Sequence, residues 1–171
     1  MKPIKLRLDI QFISLVILTS ILFFSSQAWA DTEIRAKFKL KNEEQVLTKI
    51  EGACKELLKK TEWVAIVTWD ESQPHLVGTW GDYVSVKDGN IILIPAGYYF
   101  KTEENLKKNK NIQLMIASKQ VQGTHGLGQG CVVFGEGKIQ TEGKYAQYMK
   151  EKHPWARGAL VVTVKEIELH L

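Results

Sequence analysis

Trp63-Val-Ala-Ile-Val-Thr68 is a β-branched, aromatic run closed by the turn-forming stretch Asp70-Glu-Ser-Gln-Pro74. His75 to Thr79 and Tyr83 to Val86 are two more extended stretches, and Asp88-Gly89 between Val86 and Ile91 predicts a two-residue hairpin. Ile91 to Ile94 ends at Pro95, which has no N–H for a central ladder. Downstream, Ile112 to Ala117 and Cys131 to Phe134 resume the pattern, the latter continuing through Gly135 and Gly137 to Ile139. Ala159-Leu-Val-Val-Thr-Val164 begins a last strand that runs on to Leu171. Short strands joined by hairpin signals, with helices at the margins, predict a closed or nearly closed antiparallel barrel. No βαβ alternation appears, which argues against a doubly wound nucleotide fold.

Three helices flank these strands. Val46, Leu47, Ile50, Cys54, Leu57 and Leu58 fall on one face of an amphipathic helix over 42–60. Asn42 with Gln45 approximates a capping box, and Lys59-Lys60 complement the dipole at the far end. Thr102 to Asn109 reads as a short polar helix anchored by Leu106, and Lys144 to Lys152 has helical spacing at Tyr145, Tyr148 and Met149.

The chain has 171 residues, 44% hydrophobic and 25% charged, with 13 Gly, 4 Pro and 2 Cys, which excludes disorder, collagen-like repeats and a disulfide-dense miniprotein. Its N-terminus carries a basic head, the apolar run Phe12 to Phe24, and the small residues of Ala28-Trp-Ala30. That order predicts a secretory signal peptide over 1–30, cleaved after Ala30, and a periplasmic or otherwise exported protein. The apolar core is shorter than the roughly 20 residues of a spanning helix, so no stable membrane anchor is expected once the signal is cut. Removing it takes Lys2, Lys5, Arg7 and Asp9 and leaves 20 basic and 18 acidic groups. With no basic stripe in residues 31–171, nucleic acid is not an expected partner. Residues 31–41 read as a polar lead-in and 42–171 as one domain, with the barrel over 63–171.

Cys54 lies on the apolar helical stripe and Cys131 opens a strand, so two buried thiols are expected, with a bridge as the open alternative. His75, His125, His153 and His170 form no metal-binding pair, and no metal site or catalytic residue is assigned. Gly123-Thr-His-Gly-Leu-Gly-Gln-Gly130 joins two strands instead of opening a helix, so it is read as a flexible hairpin connection; its glycines could alternatively admit a ligand close to the backbone.

Three clusters could carry chemistry. Thr79-Trp80, flanked by Gly78 and Gly81 and followed by Tyr83, could offer a flat wall to an aromatic ligand, or Trp80 could be an ordinary core residue. Lys101-Thr102 stand where free helical amides, a cation and a hydroxyl would together hold a phosphate monoester; Thr102 as a simple N-cap beside a solvated Lys101 is the alternative. His153-Pro-Trp155-Ala-Arg157 could complete an aromatic pocket or form a packed corner.

Val64-Ala-Ile, Pro74-His-Leu-Val, Thr79-Trp80, Tyr83, Asp88-Gly-Asn90, Lys101-Thr-Glu103, the Gly-rich loop and Trp155-Ala-Arg157 stand in an order that resembles a known family. From Trp63 to Leu171 the chain resembles the small bacterial FMN-binding proteins of the pyridoxamine 5'-phosphate oxidase-like split-barrel superfamily. The resemblance implies a mainly β, six-stranded Greek-key split barrel with flanking helices, working as a homodimer with one FMN per subunit. It places Thr79, Trp80 and Tyr83 along the isoalloxazine, Lys101 and Thr102 at the phosphate, Trp155 near the ring, and Leu171 at the neighbouring subunit's flavin. Relatives often carry an amide side chain where Gly78 stands. The tail Glu166-Ile-Glu-Leu-His-Leu171 lacks the basic motif of the oxidase branch, so pyridoxal phosphate synthesis is not expected. The expected function is electron transfer to a redox partner not visible in the sequence. The alternatives are a flavin-dependent oxidoreductase acting on a small substrate, and a binding module for haem or another aromatic ligand.

Overall fold

The computed structural model describes residues 47–71 and 73–170. The expected signal peptide, the lead-in, residues 42–46 of the first helix and Leu171 lie outside the described residues. Within them the first helix is shorter than the apolar spacing predicts: α1 covers Gly52–Lys60. Leu47 instead bridges Ile167, whose N–H donates to the Leu47 carbonyl at 2.8 Å. Ile50 N–H donates to Gly89 at 2.7 Å, so both ends of this segment are spent on the sheet. Glu51 is extended and Gly52 has φ +51°, a left-handed step that ends any continuous helix from residue 42. Tertiary hydrogen bonds thus override a local helical period. The period still places Cys54 and Leu57 correctly, since both are buried against the barrel.

The strands are β1 (Trp63–Trp69), β2 (Pro74–Trp80), β3 (Ser85–Lys87), β4 (Ile91–Ala96), β5 (Asn111–Gly123), β6 (Gly126–Gln140) and β7 (Gly158–His170). A 3-10 turn, Gly81–Tyr83, follows β2, in a stretch expected to be extended from Tyr83. Helix α2 (Phe100–Lys108) lies between β4 and β5, and α3 (Lys144–Lys152) between β6 and β7. All pairings are antiparallel in the order β2-β1-β5-β6-β7-β4-β3. Seven strands replace the expected six, the addition being the three-residue β3, and the sheet does not close because β2 and β3 each end it.

Several local expectations change with pairing. Lys87 pairs with Ile91, so the β3–β4 turn has three residues, Asp88 to Asn90, with Asp88 and Gly89 both at positive φ. Pro95 does not end β4, because β3 is too short to reach it and its missing N–H faces no neighbour on that side. The Gly-rich stretch is a hairpin connection, but only Thr124 and His125 are turn; the rest is paired strand, with a register shift between Ser118 and Gln122.

One core fills the inside of the curved sheet, built from alternate residues such as Val64 and Ile66 of β1 and Ile112, Leu114 and Ile116 of β5. Each fully buried Leu or Ile contributes roughly 1.5–3 kcal/mol. Helix α3 covers the other face of β4 and β7, where Met149 meets Leu93, Ala159 and Val161. The β2 end is positioned by Gly81, whose N–H donates to the Glu62 carbonyl at 3.0 Å. A Cβ at Gly81 would stand 1.9 Å from the Thr61 carbonyl oxygen, a backbone atom that cannot swing aside. Gly81→Ala is therefore expected to destabilise the protein by about 1–3 kcal/mol, read as a lower urea midpoint with an unchanged slope.

Candidate functional site

The alternation of β2 turns Thr79 inward, where it is buried, and leaves Trp80 60% exposed. Trp80 is thus not a core residue. Its cross-strand partner is Trp63, and the Trp63 indole lies over Gly78 so closely that a Cβ there would fall 2.0 Å from a ring carbon. Gly78 leaves the room that this indole fills, and a side chain there would require the indole to move. Trp80 and Tyr83 line an open cleft of about 580 Å³ with Thr61, Glu62 and Gln120. A second cleft, of about 740 Å³, lies along Trp63, Ser118 and Gln129. Neither includes Lys101 or Thr102.

Tyr83 meets the third cluster directly. Its ring centroid is 5.5 Å from Trp155 and 4.9 Å from His153, with tilted planes, and His153 is 5.8 Å from Trp155. Trp155 also packs on Gly97, where an added Cβ would come within 3.1 Å of the indole. The first and third clusters therefore form one aromatic surface, half-exposed at Trp155.

The second cluster stands four residues beyond Gly97. Helix α2 starts at Phe100, two residues earlier than expected, so Thr102 is its third residue and not the cap. Tyr99 is the N-cap and gives no side-chain bond to the helix; Glu103 N–H makes the first intrahelical bond, to the Tyr99 carbonyl, at 2.9 Å. The helix itself offers no acceptor for the amides of Phe100, Lys101 and Thr102. The Thr102 hydroxyl is buried without a hydrogen-bond partner. The Lys101 side chain is 47% exposed, and its Nζ lies 3.4 Å from Asp70 and 3.7 Å from Glu104. Lys108 approaches the same Asp70 oxygen at 3.6 Å, so that carboxylate keeps a cation if Lys101 turns to another anion. The Tyr99 hydroxyl donates to Gly78 at 2.9 Å, which holds the start of α2 against the β2 segment carrying Thr79. Burial pushes the Tyr99 phenol up, opposed by its hydrogen bond with Thr79.

Arg157 joins the two regions. Its amide donates to Ala96 and its Nε to Gly97, both at 2.9 Å, while its guanidinium pairs with Glu103 in the first turn of α2 and covers the Phe100 ring. That pairing, aided by Lys107, holds the Glu103 carboxyl below the usual carboxylate range. Sequence reading placed Arg157 in the third cluster without giving it this role. The contact of His153 with Tyr83 and the bond from Tyr99 to Gly78 were likewise not foreseen, because these partners come from distant segments.

The site thus places aromatic faces (Trp80, Tyr83, Trp155) and an anion-seeking helix start (Lys101, Thr102) on connected elements, a combination suited to a ligand with a flat ring system and a phosphate. Leu171 lies outside the described residues, though β7 carries the chain to His170, paired with Gly130. Among the described residues no group of three or more His, Cys, Asp or Glu side chains is placed to hold a metal ion.

A family model described as pyridoxamine 5'-phosphate oxidase matches residues 50–171. An FMN-binding protein of Nitratidesulfovibrio vulgaris (Miyazaki F strain) is 38% identical over 117 residues, spanning 68% of this chain and 95% of that protein. Among solved structures, a variant of HupZ from group A Streptococcus superposes with a TM-score of 0.59 at 19% identity, covering 71% of this chain and 99% of that one. An FMN-binding protein from Syntrophomonas wolfei subsp. wolfei does so with a TM-score of 0.54 at 14% identity, covering 84% and 97%. The structural likenesses bear on the fold, the mainly β split barrel with flanking helices.

Burial, and then the charge of Lys152, hold the His153 imidazole below the usual 6.5. Below that pH the unfolded chain takes up this proton before the folded one, so stability is lost as pH falls from about 6.5. His153→Gln should remove that part of the loss: its Tm should fall less steeply than that of the unsubstituted protein between pH ~6.5 and ~5.

Proposed function

The chain belongs to the pyridoxamine 5'-phosphate oxidase family of split-barrel flavoproteins, and we propose that it binds FMN and serves as an exported, homodimeric electron carrier. The observation that carries the cofactor reading is the buried, partnerless Thr102 hydroxyl beside Lys101 at a helix start with no side-chain cap. A phosphate monoester satisfies the hydroxyl, the free amides and the ammonium together. Trp80, Tyr83 and Trp155 then present aromatic faces to the ring system, and Thr79 lies beneath the same strand end. When bound, FMN supplies one- and two-electron redox chemistry. The protein's part is to bind and orient it.

The homodimer reading draws on exposed apolar groups, Tyr98 at 93% and Leu127 at 78% among them, which a second copy can cover. It also draws on the open clefts beside Trp80 and Trp63, which the other described residues leave uncovered. Leu171 is proposed to reach the neighbouring subunit's flavin. The export reading draws on the signal-peptide pattern of residues 1–30.

Purified full-length protein is expected to retain added FMN through desalting, with flavin absorption bands and quenched flavin fluorescence. A colourless protein after desalting overturns the cofactor reading. Sustained turnover of an added small substrate replaces the carrier reading with that of an oxidoreductase. Lys101→Ala should weaken FMN about ten- to a hundredfold, corresponding to about 1.5–3 kcal/mol for a charge-assisted contact, and barely change riboflavin. Equal losses for both flavins in equilibrium titrations remove Lys101 from the phosphate.

A further inference from the structure

We propose that Cys54 and Cys131 form an intramolecular disulfide that staples α1 to β6. The two sulfurs lie 3.3 Å apart, 77 residues apart in sequence, and both side chains are fully buried. A disulfide bond is about 2.05 Å long, so the sulfurs need to close by only about 1.3 Å. Contacts on both sides of α1 hold the thiols together. Ahead of it, Ile50 N–H donates to Gly89 at 2.7 Å. Behind it, the Thr61 hydroxyl sits between the carbonyls of Trp63 and Ala117 at 2.7 and 2.9 Å, and the Ser118 hydroxyl donates to Lys60 at 3.0 Å. Nothing in the flavin reading uses either thiol, and the inference stands apart from it.

In the folded protein the Cys131 thiol donates to Cys54. Oxidation proceeds by thiol–disulfide exchange: the thiolate of either cysteine displaces one thiolate from a small-molecule or protein disulfide and becomes a mixed disulfide. The thiolate of the other cysteine then attacks that cysteine's sulfur and expels the second thiol of the oxidant. Two S–H bonds are lost, one S–S bond forms, and the oxidant's disulfide is reduced to two thiols. Burial keeps oxidants from the folded pair, so exchange occurs during folding or while α1 is undocked.

The test is to refold the full chain from denaturant in mixtures of reduced and oxidised glutathione, trap free thiols with a maleimide in denaturant, and weigh the product. The expected product is lighter than the dithiol by two hydrogen atoms and takes up no maleimide. Its Tm should exceed that of the same chain kept in reductant by about 5–10 °C. Cys54→Ser and Cys131→Ala should each have a Tm indifferent to the redox mixture; the unsubstituted chain carries the test even where a variant fails to fold. Two free thiols, or glutathione left on each cysteine, across mixtures that fully oxidise a reference secreted protein would overturn the proposal. A disulfide form that melts no higher than the dithiol would overturn the stapling role.

Discussion

The arrangement of the site depends on Arg157. Through its amide and Nε it holds the carbonyls of Ala96 and Gly97, where β4 gives way to α2, and through its guanidinium it holds Glu103 in the first turn of that helix. Two residues before it stands Trp155, packed on Gly97. One residue thereby ties the start of the helix to the segment that carries the indole. The partners are partly shielded, with side-chain exposures of 28% for Arg157 and 23% for Glu103, so their attraction is less screened than that of a surface pair. A lysine in its place could not make the same forked contact to a carbonyl and a carboxylate.

Legibility in the sequence followed the range of the interactions involved. The strands of the barrel could be read because β-branched runs and Gly or Pro punctuation are local. The Asp88-Gly89 turn was legible for the same reason, although the pairing of Lys87 with Ile91 made it one residue longer. The first helix was over-read because its period is real while the hydrogen bonds that unwind its beginning come from Gly89 and Ile167. The Gly-rich stretch was under-read: glycine weakens a strand locally, yet the facing β5 supplies a ladder almost to the tip.

The candidate site divides in the same way. Lys101 and Thr102 were legible because a helix start is a local feature, though the start itself moved to Phe100. The meeting of Tyr83 with Trp155 was not, since it joins residues 72 positions apart through the sheet. The room left by Gly78 is filled by Trp63 from the paired strand, which no reading of the Thr79-Trp80 neighbourhood alone could supply.

An open sheet keeps two edges, each a potential template for a foreign strand. Here β3 offers only three residues along one of them, and past its end Pro95 presents a ring where a donor would be. On the other, β2 opens with Pro74, and Tyr99 already occupies the Gly78 carbonyl. The edge is therefore blunted at both ends of the strand order, and the protein can expose aromatic surface for recognition without inviting runaway strand addition into fibrils.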